Sequence, residues 1–326
     1  MAEKSILALG KTKLISIFVA KYISMFNGIN AIEFAKKFKS NEDCYCYLIE
    51  LKWGKGYKCK KCGCQDSMAG NSWLDRKCRK CNYTESVTAN TLFHGHKASI
   101  LKLFYMTFRI ACKKKGISTV ELGTEVGVRQ KSAWLFKRKV QVAMSQDFEN
   151  KLQGEVDVDE TLLGYHTDRA HCGRNLEERE AVMVAVEKLE ENKTGNIRLM
   201  KIDSFTATEL KEGMETMIDS KADITTDDFK SYQSLKKDGM DLEIVPSTEY
   251  ENHVQVNRQI MNFKHWLTGI HHKWTKEHLQ AYADEHVFRF NNRNNRKRIF
   301  NTLINRMITC LPHPYSDLAR ISSQSA

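Results

Sequence analysis

The sequence predicts a mixed α/β protein: a catalytic body of alternating strands and helices, preceded by a small cysteine-clipped module and a helical segment. Three observations carry that expectation. Two Cys-x2-Cys pairs lie close together early in the chain. Helical apolar spacing, broken by a glycine turn, follows them. From Gly154 onward, strand-like stretches alternate with helical ones, and acids fall at strand positions.

The chain has 326 residues, room for two or three domains at roughly 100–200 residues each. A hydrophobic share of 41% is enough for packed cores. No window approaches the ~20 consecutive apolar residues of a membrane helix. Lys4, Lys11 and Lys13 are not followed by the apolar core and cleavage site of a signal peptide. The expectation is a cytoplasmic, nucleoid-associated protein without a membrane partner, its ten cysteines kept as thiols. The net charge of +11 is unevenly placed, with +6 over residues 51–92, +9 over 93–145 and +6 over 286–310. Such segregation points to basic surfaces and a nucleic-acid partner, with a solvated basic face as the plainer alternative.

Taken in order, residues 1–54 read as an N-terminal helical region, in which Asn41–Trp53 has a capping residue and helical apolar spacing. Residues 55–92 read as a zinc ribbon. Cys59-Lys-Lys-Cys62 and Cys78-Arg-Lys-Cys81 are two knuckles at the separation of a four-thiolate zinc site. The segment is too short to bury a core, so a structural metal would supply its folding energy. Cys64 is a minor competitor of Cys62, whereas Cys44, Cys46, Cys112, Cys172 and Cys310 have no partner at metal spacing. Lysines and arginines crowd the knuckles, which suggests contact with nucleic acid.

Residues 93–148 read as a helix-turn-helix-like DNA-binding segment. A helix over Ser99–Lys114 is followed by a short one over 118–125, a turn at Gly127 and a second helix over about 130–143. Arg129, Lys131, Lys137, Arg138 and Lys139 on or beside that last helix are the candidate DNA contacts. A plain helical bundle is the bland alternative.

Residues 149–295 read as the catalytic domain. Strands are expected at Gly154–Leu163, Ala181–Glu187 and Ile197–Ile202, then a helix at about 206–218. Asp223–Asp227 and Leu242–Val245 give two more strands, and helical patterns follow at about 250–270 and 275–291. That order is the order of a ribonuclease-H-like fold. Such a fold sets acids from the first strand, the end of the fourth strand and a later helix around two divalent cations. Hard cations take oxygen ligands, so Asp159 and Asp227 are the candidate Mg²⁺ or Mn²⁺ ligands. Asp157 alone reads more simply as a solvated strand acid. Residues 296–326 read as a basic C-terminal tail. Arg289, Arg293, Arg296, Lys297 and Arg298 form a late basic stripe suited to phosphate contact.

The sequence resembles the bacterial insertion-sequence transposases that join an N-terminal zinc ribbon to a DDE-type (ISXO-like) domain, relatives of the eukaryotic Merlin elements. The resemblance spans roughly residues 40–295. It rests on the ribbon cysteines, Val158-Asp159-Glu160-Thr161 with Gly164, and Thr226-Asp227-Asp228-Phe229-Lys-Ser-Tyr232. It rests also on Asn262-Phe-Lys-His-Trp266-Leu-Thr-Gly269 with His271-His272, and on His278 to Tyr282 with Glu285 and Phe288 to Arg293. It implies Asp159 and Asp227 as the first two catalytic residues. The third position, glutamate or asparagine in the family, falls in a stretch here without an acid. Asn262 is the first choice, Met261 lies one residue off, and Asn257 and His253 are weaker candidates. Leu162-Leu163 before Gly164, and Asp228 after Asp227, depart from the family's usual residues. His271 and His272 suggest backbone contact or local packing more than a metal, and Trp266 a core residue. The implied function is a DNA transposase acting on terminal inverted repeats and target double-stranded DNA as a homodimer or higher oligomer. A zinc-ribbon DNA-binding regulator without cleavage, or a metal-dependent nuclease without strand transfer, are the rival readings.

Overall fold

The computed structural model describes residues 25–164, 179–246, 253–271 and 274–320. The described residues divide into two compact units, one within 25–143 and 295–318 and the other within 144–294.

In the first unit, α1 (Ala31–Lys37) and α2 (Asn41–Trp53) are capped by Asn30 and Ser40, the latter in a reciprocal capping box with Asp43. A small antiparallel sheet follows, β1 (Ser67–Ala69), β2 (Asp75–Cys78) and β3 (Thr84–Ser86) in that order. Lys52 at the end of α2 fastens helix to sheet. It pairs with Glu85 at 2.8 Å and donates to the carbonyls of Ser86 and Ala89 at 3.0 and 2.6 Å. Next come α3 (Ile100–Cys112), α4 (Thr119–Val126) and α5 (Gln130–Ala143). Gly127 takes a φ of 63° between α4 and α5, a left-handed conformation that a side chain would strain.

The expected basic tail is corrected here. Arg293–Arg298 is a 3₁₀ turn, and α10 (Ile299–Thr309; α6–α9 are introduced below) is a core helix of the first unit. Its apolar residues recur at helical spacing and must be covered. Phe300 meets Phe26, Phe34, Phe38, Phe104 and Phe108 with ring centroids 5.5–6.2 Å apart. The Leu92 N–H donates to the Met307 carbonyl at 3.0 Å.

The second unit is built on five strands: β4 (Glu155–Leu163), β5 (Glu180–Leu189), β6 (Lys193–Ile202), β7 (Asp223–Thr226) and β8 (Glu243–Ile244). Their order in the sheet is β6-β5-β4-β7-β8. β4, β5 and β6 pair antiparallel, while β7 runs parallel to β4 and β8 parallel to β7. The helices are α6 (Ala207–Met217), α7 (Lys230–Lys237), α8 (Val254–Ile270) and α9 (Leu279–Asn291). The element order is the one the sequence predicted. Residues 181–186 of β5 are all buried, because both faces of the sheet are covered. Met183 and Ala185 join Val156, Val158, Met214 and Tyr232 on one side. Val182 and Val184 join Val256, Phe263 and Tyr282 of α8 and α9 on the other.

The free edge of β6 is closed by side chains. The Asn291 amide both donates to and accepts from the Ile197 backbone, at 3.1 and 3.0 Å. Gln146 does the same for Leu199, Gln280 accepts the Lys201 N–H, and Arg293 donates to the carbonyls of Thr194 and Gly195. These amides replace a neighbouring strand and hide an edge that would otherwise pair with another chain.

Candidate active site

The parallel pairing of β4 and β7 brings two of the predicted ligands together. Asp157 lies opposite Thr225 and Val158 opposite Thr226. Asp159 and Asp227 each follow directly on the last rung of that ladder, Val158 opposite Thr226. Both carboxylates are half-buried. The Glu160 N–H donates to Asp159 Oδ1 at 2.7 Å, and the Phe229 N–H to Asp227 Oδ1 at 3.2 Å. On β5 the partners of Asp157 and Asp159 are Val186 and Val184, so these acids share the face that α8 covers.

Asp157 is not the solvated acid its sequence context suggested. It is 1% exposed and pairs with Lys188 at 3.1 Å. Burial raises its carboxyl pKa, and the charges of Lys188 and His253 oppose that rise.

The direction α8 faces is set by Val256, Ile260, Phe263 and Leu267, which pack on the sheet with Val182 and Val184. Burial lowers the pKa of Lys264, and the Asp159 carboxylate partly restores it. His253, at the helix start, acts on Asp157. At about 100° per residue, Lys264 lies about 40° from the buried Ile260 around the helix axis, so it belongs to a stripe bordering the sheet-facing side. Asn257, seven residues before Lys264, falls in the stripe as well. Asn262, two residues before Lys264, is turned about 200° away. It is exposed, and its Nδ2 donates to Gln259 Oε1 at 3.4 Å. Met261 is exposed too. His271 stacks on Tyr282 with centroids 4.2 Å apart, and Trp266 packs against the core as expected. His272 and Cys172 lie outside the described residues.

The ribbon cysteines converge. Among the described residues, the ligand atoms of Cys59, Cys62, Cys78 and Cys81 lie within 4.8 Å of one another. The Cys59–Cys81 and Cys62–Cys78 sulfurs are 3.6 Å apart. A tetrahedron with Zn–S bonds of about 2.3 Å has edges of about 3.8 Å, so the thiolate set fits a zinc ion. The two knuckles are built alike, with Gly63 at φ 72° and Asn82 at φ 57° closing turns whose N–H groups reach the Cys59 and Cys78 carbonyls. Burial acts against the Cys59 thiolate, but the N–H groups of Cys62 and Lys61 outweigh it and lower the pKa. Cys64 stays outside the group, its sulfur 3.9 Å from the Asp66 carbonyl.

The basic residues are sorted by burial. Arg129 and Lys131, at the start of α5, are exposed. Lys137, Arg138 and Lys139 are 2, 4 and 6% exposed, which corrects their reading as DNA contacts. Lys137 Nζ donates to the Ile117 carbonyl at 2.8 Å, and Arg138 to Gln141 at 2.7 Å. In the late stripe, Arg289 pairs with Glu285 at 2.9 Å and Arg293 serves the β6 edge, whereas Arg296, Lys297 and Arg298 are exposed. Sequence reasoning missed two further residues. Tyr232 donates a buried hydrogen bond to Glu160, and Lys188 pairs with Asp157. The Tyr232 bond was legible only as two motif residues without a role.

Residues 151–291 match the family of ISXO2-like transposase domains. A solved structure with some likeness is the Mos1 transposase in its paired-end complex with the left transposon end, 10% identical over 63% of this chain and 78% of that one, with a TM-score of 0.25. An overlap so small establishes no shared fold. No curated protein matches the chain. Among the described residues, no helix is long and apolar enough to cross a membrane.

Proposed function

We propose that this chain, whose residues 151–291 are an ISXO2-like transposase domain, is the DNA transposase of an insertion sequence, cutting and joining DNA with two divalent ions. The observation that supports this reading is the parallel pairing of β4 and β7, whose last rung, Val158 opposite Thr226, immediately precedes Asp159 and Asp227, in a sheet with the strand order expected of a ribonuclease-H-like fold. Their oxygens are the donors that Mg²⁺ or Mn²⁺ takes. Two such ions would activate a water or 3′-hydroxyl and stabilise the leaving oxygen of a phosphodiester.

Asp159 and Asp227 would hold the ions. The third ligand would be a neutral amide from α8, and the helical phase favours Asn257 over Asn262. Lys264, on the same stripe, would offset negative charge at the centre. The buried Asp157 would anchor β4 through Lys188. Rate acceleration would come from positioning and from electrostatic stabilisation, without a covalent intermediate.

The ribbon, folded around zinc, and α4–α5 would bind the terminal inverted repeats. Arg129 and Lys131 fit that role because the N-terminal residues of a second helix reach the groove. Two ends must be held at once, so the active species would be a dimer or larger, at the nucleoid.

The test is a cleavage and joining assay on labelled element ends with Mg²⁺ or Mn²⁺. D159A and D227A are expected to lose both products while still shifting the DNA in a gel. Cutting retained in either variant removes that residue from the centre. Cutting without joined product in the wild type would favour a plain nuclease, and binding without cutting a regulator.

A further inference from the structure

The backbone ladder between β4 and β7 ends at Val158 and Thr226. Asp159 and Asp227 therefore lie one residue beyond its last rung, and the strand pairing does not itself fix the gap between them. On the opposite face of the sheet, a different bond spans that gap. Glu160 follows Asp159 and, by strand alternation, points to the other side. Tyr232, in the first turn of α7, donates its hydroxyl hydrogen to Glu160 Oε1. Tyr232 is 0% exposed and Glu160 9%.

Both ends of this bond are fastened to an aspartate. The Glu160 N–H donates to Asp159 Oδ1. The Tyr232 N–H donates to the Phe229 carbonyl at 3.0 Å, and the Phe229 N–H to Asp227 Oδ1 at 3.2 Å. The result is a chain of bonds from Asp159 through Glu160, Tyr232 and Phe229 to Asp227. Burial first, and then the Glu160 carboxylate, push the Tyr232 hydroxyl well above its ordinary pKa, so it keeps the proton it donates.

We propose that the Tyr232–Glu160 hydrogen bond is a strut that sets the spacing of Asp159 and Asp227, which makes both residues positioning residues of the metal centre. The inference rests on the two-metal reading above. Glu160 binds no ion itself, since its side chain lies on the opposite face from Asp159. Partners that orient metal ligands typically change metal affinity ten- to a hundredfold when removed.

The experiment is Mn²⁺ binding to the full zinc-loaded chain, read from the electron paramagnetic resonance of free Mn²⁺, with far-UV circular dichroism as the fold control. Y232F and E160A are expected to bind Mn²⁺ roughly ten- to a hundredfold more weakly than wild type. E160Q, which keeps an acceptor for the Tyr232 hydroxyl, is expected to restore most of that loss. Wild-type affinity in a folded Y232F overturns the strut. Affinity in E160Q as low as in D159A also overturns it, by making Glu160 a ligand. If Y232F does not fold, equal affinities of E160Q and E160A overturn it instead. D159A separates the two claims: wild-type Mn²⁺ binding there sinks the metal centre, whereas its loss in D159A with none in Y232F sinks only the strut.

Discussion

Asn257 and Asn262 offer the same amide to a metal, and only their angle around α8 distinguishes them. Asn257 and Lys264 lie within about 20° of each other around the helix axis, beside the buried Val256 and Ile260 that face the sheet. N257A is therefore expected to cut DNA roughly ten- to a hundredfold more slowly, the usual cost of disturbing a metal's ligand shell. N262A, which loses a hydrogen bond to Gln259, should cut at close to the wild-type rate. The reverse order of the two variants in a single-turnover cleavage assay would restore Asn262 as the ligand. Asp159 and Asp227 could be proposed from the sequence because a strand's end can be read from local alternation. The choice between Asn257 and Asn262 could not be made there, because it depends on which side of a helix faces a sheet formed by residues a hundred positions away. The same blindness applied to Lys137, Arg138 and Lys139. A run of cations beside a turn reads as a DNA-contacting face, yet a long stem can bury itself, and the heads of Lys137 and Arg138 find the Ile117 carbonyl and the Gln141 amide.

Among the elements, β6 shows how a sheet edge is finished by side chains rather than by another strand. The Asn291 amide satisfies both backbone groups of Ile197, which is fully buried. In N291A both groups lose their partner, and each unsatisfied buried group costs about 1–3 kcal/mol. The variant should unfold roughly 3 kcal/mol earlier by urea titration and aggregate more readily, since its edge is open. Stability within a few tenths of a kcal/mol of wild type would show that water replaces the amide. Most elements themselves were legible. A capping residue and the apolar spacing over Asn41–Trp53 marked α2, whose cap is Ser40, and the unbroken apolar run at 181–186 marked a strand. The edge amides were not legible, because Asn291 and Ile197 are 94 residues apart and nothing local in either segment names the other.

Each of the two units carries a histidine held neutral by burial. Burial, with the Lys139 charge, lowers His96 to about 4, and burial, with Arg289, lowers His286 to about 4. A depressed folded-state pKa means the unfolded chain takes up the proton first. Stability is then full above about pH 6.5 and falls as the pH drops from there towards 4, by up to about 3 kcal/mol for each histidine. H286N should flatten the acid limb of the stability curve, and an unchanged limb would assign it to other groups. The larger-scale consequence concerns the end of the chain. The basic run at 293–298 made 296–326 read as a tail, although Ile299, Phe300, Leu303, Ile304 and Met307 already showed helical spacing. Those side chains are buried in α10, and burying each contributes about 1.5–3 kcal/mol. Their sum, on the order of 10 kcal/mol, matches the whole stability of an ordinary domain. A chain ending at residue 295 should therefore lose the first unit, zinc ribbon and α4–α5 included, while the sheet of the second unit, which α10 does not complete, keeps its own core. Limited proteolysis is expected to degrade residues 25–143 of that truncation and leave a resistant fragment near 144–294. DNA binding would be lost with the first unit. A first unit that stayed protease-resistant without α10 would mean that Phe300 and its aromatic neighbours decorate a core the earlier helices close by themselves.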